Sequence, residues 1–266
     1  MKVLLTSLAT VTAIVVSSQA TLANCGNTGA GFEAWKAQFA NEARAAGVGP
    51  RGLQALSGAQ YATRTIAADR NQKSFRYSLD KFMEIRGSAT IVAQGRKRKA
   101  RNAEFYDWIE RGYGVPAGVL IAIHGMETAF GGFMGDSSVV SAIVTLTYDC
   151  RRSDFFKPHA IGALKLVDDG SITLNTKGAK HGELGHTQFL PGNALKYGVD
   201  GNRDGKVDFY DLTDAMVSTA NFLRQKGWQP GLGYQEGEPN FKVIQAWNAA
   251  GVYQKAIAIM AARIDG

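Results

Sequence analysis

From Gly114 to Gly132 the chain reads Gly-Val-Pro-Ala-Gly-Val-Leu-Ile-Ala-Ile-His-Gly-Met-Glu-Thr-Ala-Phe-Gly-Gly, and this stretch decides the fold. Apolar residues recur in it at helical spacing, namely Val115, Val119, Ile123, Met126 and Phe130, with Leu120 and Ala122 widening the stripe. Pro116 is typical of a first helical turn, and the Gly131-Gly132 pair is typical of a helix end. The sequence therefore predicts a mostly apolar helix.

Glu127 stands in the last turn of this predicted helix. The helix dipole disfavours a negative charge at a C-terminus, and apolar surroundings disfavour it further. A carboxyl group in such a place keeps its proton to a higher pH and can serve as a general acid. The alternative is a solvent-facing Glu on a core helix, which is the commoner situation for this residue type.

Residues 1–23 have the pattern of a secretory signal peptide. Lys2 precedes an apolar run over residues 3–16, and small residues offer cleavage sites at 18–20 and 21–23. The run is too short to span a bilayer comfortably, and no later stretch is apolar enough to be transmembrane. The sequence therefore predicts export to the periplasm.

The chain contains two cysteines, Cys25 and Cys150. In an oxidising compartment an even pair favours one disulfide, because Cys150 would otherwise be a stray thiol. Cys25 has a rival role, since Leu22-Ala23-Asn24-Cys25 resembles a lipoprotein cleavage box in which Asn24 fits poorly. Lipidation would anchor the protein to a membrane through Cys25 and would exclude the disulfide.

The net charge of +7 and the sequence pI of about 9.4 favour an anionic partner such as the cell wall, a membrane surface or nucleic acid. The densest basic run covers residues 96–101 and is interpreted as a solvated helix face. No nucleic-acid motif accompanies it, so we expect no nucleic-acid partner.

The apolar pattern after residue 23 is mostly helical, without an internal repeat or a low-complexity linker. One amphipathic face comprises Phe32, Trp35, Phe39 and Ala43. Further helices are predicted around Phe75, Leu79 and Phe82, and as one continuous element from about 91 to 111. Residues 171–210 are glycine-rich and irregular, with room for short strands. We therefore expect a mainly α protein with one loop-rich insertion.

Residues 200–211 follow the pattern of an EF-hand calcium loop. Oxygen-bearing side chains occupy loop positions one, three, five and nine: Asp200, Asn202, Asp204 and Asp208. Gly205 stands at position six for the sharp turn, and Lys206 offers its backbone carbonyl at position seven. Position twelve is Asp211 in place of Glu, and Asp214 is an alternative closing ligand. The alternative is an Asx-rich turn, and the four histidines lack the paired spacing of a zinc site.

Gly114-Val-Pro116 followed by Gly125-Met-Glu127-Thr128 and Gly131 resembles the catalytic segment of the lytic murein transglycosylase B family, glycoside hydrolase family 103. Three further blocks agree in order and approximate spacing: residues 142–156, residues 177–191, and the calcium loop with residues 214–221. The resemblance covers about residues 32–264 and is strongest over 114–228.

This resemblance implies a lytic transglycosylase that cleaves peptidoglycan between N-acetylmuramic acid and N-acetylglucosamine. The muramoyl C6 hydroxyl attacks C1 and leaves a 1,6-anhydro ring, and a single Glu acts first as acid and then as base. The implied partner is the glycan strand, with calcium as a structural cofactor and no organic cofactor. We expect a monomer that can also meet cell-wall or secretion-machinery proteins.

The fold implied by the resemblance is mainly α, with a lysozyme-like helical core, an additional helical lobe and an EF-hand-like calcium loop. The predicted division places an N-terminal lobe at residues 25–113, completed by C-terminal helices in 238–266. The catalytic core then covers residues 114–237 and contains the calcium loop at 200–214.

The resemblance also assigns roles to single residues. Glu127 matches the catalytic Glu, and Gln188 matches a glutamine of the sugar groove. Four others match an arginine pair and two C-terminal groove residues: Arg151, Arg152, Asn248 and Tyr253. The arginines suit the carboxylates of the muramic lactyl group or the peptide, and surface salt bridges are the alternative for them.

The sequence departs from the family pattern at Ala179, Asn193, Phe222 and Glu183, the last of which replaces a small residue near the groove. A conventional glycosidase needs two carboxyl groups flanking the bond. Asp136, Asp149 and Glu183 are candidates for a second one, but each is interpreted as a polar loop residue. Two alternative functions remain: a hydrolysing muramidase on the same fold, and a non-catalytic, calcium-stabilised peptidoglycan-binding protein.

Overall fold

The computed structural model describes residues 25–71 and 77–266. Over these residues the chain forms thirteen α-helices and a single two-stranded sheet, so the predicted mainly α fold is confirmed. The helices are α1 (Phe32–Ala45), α2 (Pro50–Gly58), α3 (Thr63–Arg70), α4 (Leu79–Ile85), α5 (Ser88–Arg101), α6 (Ala103–Tyr113), α7 (Ala117–Thr128), α8 (Val139–Tyr148), α9 (Ser153–Asp168), α10 (Pro191–Tyr197), α11 (Leu212–Gln225), α12 (Phe241–Trp247) and α13 (Gly251–Asp265). Strands β1 (Ser137–Ser138) and β2 (Lys177–Gly178) pair antiparallel, with Ser137 opposite Gly178. The predicted signal peptide and Phe75 lie outside the described residues.

Helix α7 is the central element of the fold. All its residues from 117 to 126 are buried, as expected for an apolar helix enclosed by others. Helix α13 packs along it most closely, and α5, α6 and α11 also contact it. A Cβ added at Gly118 would lie 2.3 Å from the carbonyl oxygen of Ala261, so only glycine allows this approach of α13. The helix begins after Pro116 and ends at Thr128, which confirms that Glu127 stands in its last turn.

Helices α8 and α9 pack closely against each other. All ten residues of α8 are buried, and α9 packs against α8, α2 and α10. A single hydrophobic cluster runs from Phe32 on α1 to Ile264 on α13 and therefore passes through both predicted domains. The boundaries at residues 113 and 238 stay a prediction.

The predicted continuous helix over 91–111 is wrong, because the chain breaks at Asn102 between α5 and α6. The backbone of Asn102 leaves the helical region, and its side-chain amide donates to the carbonyl of Arg98. Asn competes in this way with the helical hydrogen-bond ladder, and the apolar pattern does not reveal it. Helix α3 was also not predicted, because its only buried aliphatic side chain is Ile66.

The structure joins Cys25 to Cys150 in a disulfide, with 5.0 Å between the two Cα atoms. Two backbone hydrogen bonds accompany it, from Gly26 N–H to the Tyr148 carbonyl and from Cys150 N–H to the Gly26 carbonyl, at 2.9 and 3.3 Å. The N-terminal segment is thereby fixed to the loop that carries Arg151 and Arg152.

Among the described residues no helix has both the length and the apolar character needed to cross a membrane.

Candidate active site

A groove of about 620 Å³ opens where α7 ends. Aromatic side chains form much of its surface: Phe155, Phe156, Phe189, Phe222, Trp247 and Tyr253. Charged and polar side chains share it with them: Arg86, Glu127, Arg152, His181, Glu183, Gln188, Asn193 and Asn248. Apolar and aromatic walls with a few polar groups are typical of a ligand site. The groove contains five of the six residues predicted for catalysis and substrate binding, and only Arg151 lies outside it.

The carboxyl group of Glu127 is held through one of its two oxygens. The Tyr253 hydroxyl donates to Oε1 at 2.5 Å, and the Trp247 indole N–H donates to the same atom at 3.1 Å. Among the described residues no donor reaches Oε2. The side chain is half-buried and lines the groove, so Oε2 is the atom left for a bound molecule.

Burial raises the pKa of Glu127 to about 7. The hydrogen bonds from Tyr253 and Trp247 favour the carboxylate, but they offset the loss of water only in part. Glu183 raises the pKa further through its negative charge, and Arg86 opposes it. A carboxyl group with this pKa is still substantially protonated at neutral pH, as a general acid requires.

Helices α12 and α13 bring the two donors to Glu127. Trp247 is the last residue of α12, and Tyr253 lies in the first turn of α13, whose packing along α7 places it beside the end of that helix. Burial and the neighbouring Glu127 raise the pKa of Tyr253 well above its ordinary value, so its hydroxyl keeps its proton and remains a donor. Tyr253 was predicted as a groove residue, and in the structure it contacts the candidate acid directly.

Gln188 occupies the groove wall in a strained backbone conformation. Its φ of 57° lies in the left-handed region, which a non-glycine residue adopts at some cost. Its amide nitrogen donates to the carbonyls of Gly185 and Met134, at 2.7 and 3.4 Å. The amide oxygen is therefore the group that Gln188 can offer to a ligand. Asn248, also in the wall, accepts from Ala250 N–H through Oδ1 at 3.0 Å.

The predicted arginine pair is bound to one buried carboxylate, Asp69. Arg151 donates through Nε at 2.7 Å and through Nη2, and Arg152 donates to the other oxygen. Burial alone would raise the pKa of Asp69, but the two guanidinium groups outweigh it and hold that pKa below its usual range. Arg151 is directed to this ion pair, so a substrate contact for it stays a prediction. Arg152 also reaches the groove, where its guanidinium lies over the rings of Phe156 and Phe155.

The three candidates for a second carboxyl group differ in position. Asp136 pairs with Arg64 at an exposed site, and buried Asp149 pairs with Arg70 at 2.5 Å. Neither lines the groove. Glu183 does line it, and burial raises the pKa of Glu183 to about 7. Glu183 is thus a loop residue that faces the groove, and its interpretation as a polar loop residue without a catalytic role stays a prediction.

Sequence reasoning missed Trp247, Arg86 and His181 as groove residues. Trp247 stands directly before the predicted groove residue Asn248, and this position was the available signal. Arg86 follows the short helix α4, far from the motifs, and nothing in its local pattern marks it.

In the predicted calcium loop, acidic side chains accept hydrogen bonds from backbone N–H groups of the loop itself. Asp200 accepts from the N–H groups of Asp204 and Gly205, at 3.1 and 2.8 Å. Asp214 is buried and accepts from three loop N–H groups, those of residues 201, 202 and 208. Asp211 instead caps α11 by accepting from residues 213 and 214. Asp214 is thus the carboxylate that reaches back into the loop. Within residues 25–71 and 77–266, no group of three or more His, Cys, Asp or Glu residues has metal-binding geometry.

Comparison with known proteins gives concordant matches. Residues 31–237 match the family described as Transglycosylase SLT domain. Membrane-bound lytic murein transglycosylase B of Escherichia coli (strain K12) is 35% identical over 121 residues, covering 45% of this chain and 34% of that protein. The match thus spans about a third of the length of this curated relative.

The fold also matches solved structures. SltB3 from Pseudomonas aeruginosa, in complex with NAG-NAM-pentapeptide, has a TM-score of 0.80 and 26% identity, over 88% of this chain and 80% of that one. Lytic transglycosylase Slt35 from Escherichia coli, in complex with calcium, has a TM-score of 0.72 and 22% identity, over 86% of this chain and 92% of that one. The second likeness concerns the fold alone.

Proposed function

Because the chain belongs to the Transglycosylase SLT domain family, we propose that it is a lytic transglycosylase of peptidoglycan. It cleaves the bond between N-acetylmuramic acid and N-acetylglucosamine and leaves a 1,6-anhydro-muramoyl end. One observation carries this proposal: Glu127 presents a carboxyl group of raised pKa to a groove, with Oε1 held by two neutral donors and Oε2 open.

Glu127 acts first as an acid. Its proton passes to the glycosidic oxygen, the bond from that oxygen to C1 of the muramoyl residue breaks, and N-acetylglucosamine leaves with a new hydroxyl. The raised pKa supplies the protonated form at neutral pH. The Tyr253 and Trp247 donors then stabilise the carboxylate that forms, because both hydrogen bonds strengthen towards an anionic oxygen.

Glu127 acts next as a base. The carboxylate takes the proton from the muramoyl C6 hydroxyl while that oxygen forms a bond to C1. The anhydro ring closes, Glu127 regains its proton, and no water is consumed. A single carboxyl group is therefore sufficient for both steps.

The rest of the groove supplies binding. The free amide oxygen of Gln188 suits a sugar hydroxyl or the N–H of an N-acetyl group. Asn248 and Arg152 offer further polar contacts, and Arg152 suits a carboxylate of the lactyl group or the peptide. Exposed Phe155 offers a flat apolar surface to a sugar ring.

A hydrolysing muramidase is the second candidate, and Glu183 favours it. A second carboxyl group in the groove is what a hydrolase needs to activate water. The two reactions differ in their products, since hydrolysis adds one water to each cleaved bond.

Digestion of purified sacculi in ¹⁸O-labelled water separates the two candidates. Mass spectrometry of the released muropeptides should show anhydro ends without ¹⁸O. Reducing ends that carry ¹⁸O would establish hydrolysis instead. Binding to sacculi without release of muropeptides would support the non-catalytic alternative.

We also propose that the loop at residues 200–214 binds calcium as a structural ion. Its donors would be Asp200, Asn202, Asp204, the Lys206 carbonyl and Asp214, since Asp211 is used as a helix cap. The fit rests on the side-chain oxygens of Asp200 and Asn202, which both face the N–H of Asp204 and so lie on one side of the loop. An oxygen-only donor set suits calcium.

We also propose that the protein is exported to the periplasm through residues 1–23. The disulfide between Cys25 and Cys150 is consistent with an oxidising compartment. The named relative from Escherichia coli is membrane-bound, and an acylated Cys25 would be the corresponding anchor here. Bonded to Cys150, Cys25 is not open to acylation.

A further inference from the structure

Glu183 shares the groove with Glu127 and lacks a compensating partner for one of its oxygens. Its Oε2 is buried and has no hydrogen-bond partner among the described residues. Its Oε1 lies 3.7 Å from Nδ1 of His181, and backbone hydrogen bonds from Glu183 and His181 oppose the effect of burial only in part. A buried carboxylate oxygen without a donor carries the full cost of lost hydration, so the charged form is disfavoured.

The charged groups around Glu183 do not neutralise it. Arg152 attracts it, but that guanidinium is already paired with Asp69. His181 lies between Glu183 and Asp69, and burial lowers the pKa of His181 despite the attraction of Asp69. The imidazole is therefore neutral at pH 7. Glu127 itself is influenced by Arg86 and hydrogen-bonded by the neutral hydroxyl of Tyr253.

We propose that Glu183 is a positioning residue that acts through Glu127: both carboxyl groups line the same groove, and the negative charge of ionised Glu183 favours the protonated form of Glu127, which leaves Glu127 able to act as the acid. This inference rests on the proposed function.

The pKa values of Glu127 and Glu183 are both shifted in the direction expected for two acids that interact in one groove. Burial raises the pKa of each carboxyl group to about 7, and the charge of Glu183 adds to the shift of Glu127. Two like charges in one poorly hydrated site titrate as a coupled pair, in which ionisation of one group delays that of the other. Ionised Glu183 therefore keeps the proton on Glu127.

Glu183→Gln tests the coupling because it removes the charge and keeps the shape. In ¹³C-carboxyl NMR titrations of the protein without substrate, the midpoint of Glu127 should fall by about half a pH unit or more. The alkaline limb of the pH profile for sacculi digestion should move to lower pH by the same amount. Asp107→Asn is the matched control, since Asp107 is an exposed acid on α6, and it should move neither.

The reciprocal variant gives a second test if Glu183→Gln folds poorly. In Glu127→Gln the midpoint of Glu183 should fall as well, because coupling between two sites is mutual. Unchanged midpoints in these variants would overturn the inference. If Glu183→Gln shifts the titration midpoint of Glu127 but the wild-type protein releases no muropeptides, the coupling is supported and the proposed function is contradicted. The failure of the inference and the failure of the proposed function can therefore be told apart.

Discussion

Asp69 and Glu127 belong to neighbouring parts of the site, and their surroundings drive their pKa values in opposite directions. Asp69 meets two guanidinium groups, and its pKa is held below the usual range. Glu127 meets a phenol and an indole, and burial raises its pKa to about 7. Neutral donors stabilise a carboxylate less than cations do, so only the Asp69 site makes up for the lost hydration.

The difference between cationic and neutral donors distinguishes a structural carboxylate, Asp69, from a reactive one, Glu127. Asp69 holds α3 to the loop of Arg151 and Arg152, and the two guanidinium groups favour its ionised form. Glu127 is left able to gain and lose a proton near neutrality. Substitution of Glu127 removes the reactive carboxylate, and substitution of Asp69 removes the structural one.

The largest effect is expected for Glu127→Gln, which keeps the shape but removes the proton donor. Digestion of sacculi should fall by several orders of magnitude while the protein folds normally. Muropeptide release with each variant is the measurement, and Asp107→Asn should keep wild-type activity. Turnover by Glu127→Gln at a tenth of the wild-type rate would remove Glu127 from the mechanism.

The disulfide fixes the loop that carries Arg151 and Arg152, the partners of Asp69. Its loss should lower the stability of the protein more than any other change considered. Replacing Cys25 and Cys150 together by Ser should lower the free energy of unfolding by about 4–5 kcal/mol in the chain-entropy model. Denaturant unfolding of the wild type, with and without reductant, measures the same quantity. Intact mass from the native host should lie two hydrogens below that of the reduced chain. An added diacylglyceryl group on Cys25 would contradict the disulfide.

Asp69→Asn should destabilise the fold by about 3 kcal/mol, near the lower end for breaking a buried pair, because both arginines are partly exposed. The folded pKa of Asp69 lies below its unfolded value, so this stability is present above the unfolded pKa and is lost as the pH falls through the folded one. The free energies of unfolding of the wild type and the variant, measured at pH 7 and in acid, should therefore differ at pH 7 and converge at low pH. A difference that is constant with pH would exclude the ion pair as its source.

The calcium loop is a third carboxylate environment, in which backbone N–H groups face the acids. Calcium at a hundredfold excess over its dissociation constant should raise the stability of the native state by about 2.7 kcal/mol. The melting temperature should rise with calcium and fall with chelator in the wild type, and Asp204→Ala should reduce that response. Identical melting of the wild type in calcium and in chelator would contradict the site.

The sequence was sufficient for the α7 helix and for the position of Glu127, because apolar spacing and the terminal glycines are local signals. It also predicted Gln188, Asn248 and Tyr253 in the groove, through the resemblance of ordered motifs. It could not show that Asp69 engages both arginines, since that pairing joins residues more than eighty positions apart. The resemblance placed Glu183 near the groove, but the burial of its carboxyl group depends on how the loop folds, which the local pattern does not show.

Titration of the Glu127 carboxyl group itself tests directly whether Glu127 can act as the acid at neutral pH. Carboxyl ¹³C NMR of the wild-type protein, with the Glu127 signal assigned by its loss in Glu127→Gln, gives the midpoint without any substrate. The structure predicts a midpoint near 7, because burial is opposed only by neutral donors and by Arg86. A midpoint at or below the ordinary Glu value of 4.5 would contradict the account, since Glu127 would then be ionised at neutral pH and unable to act as the acid.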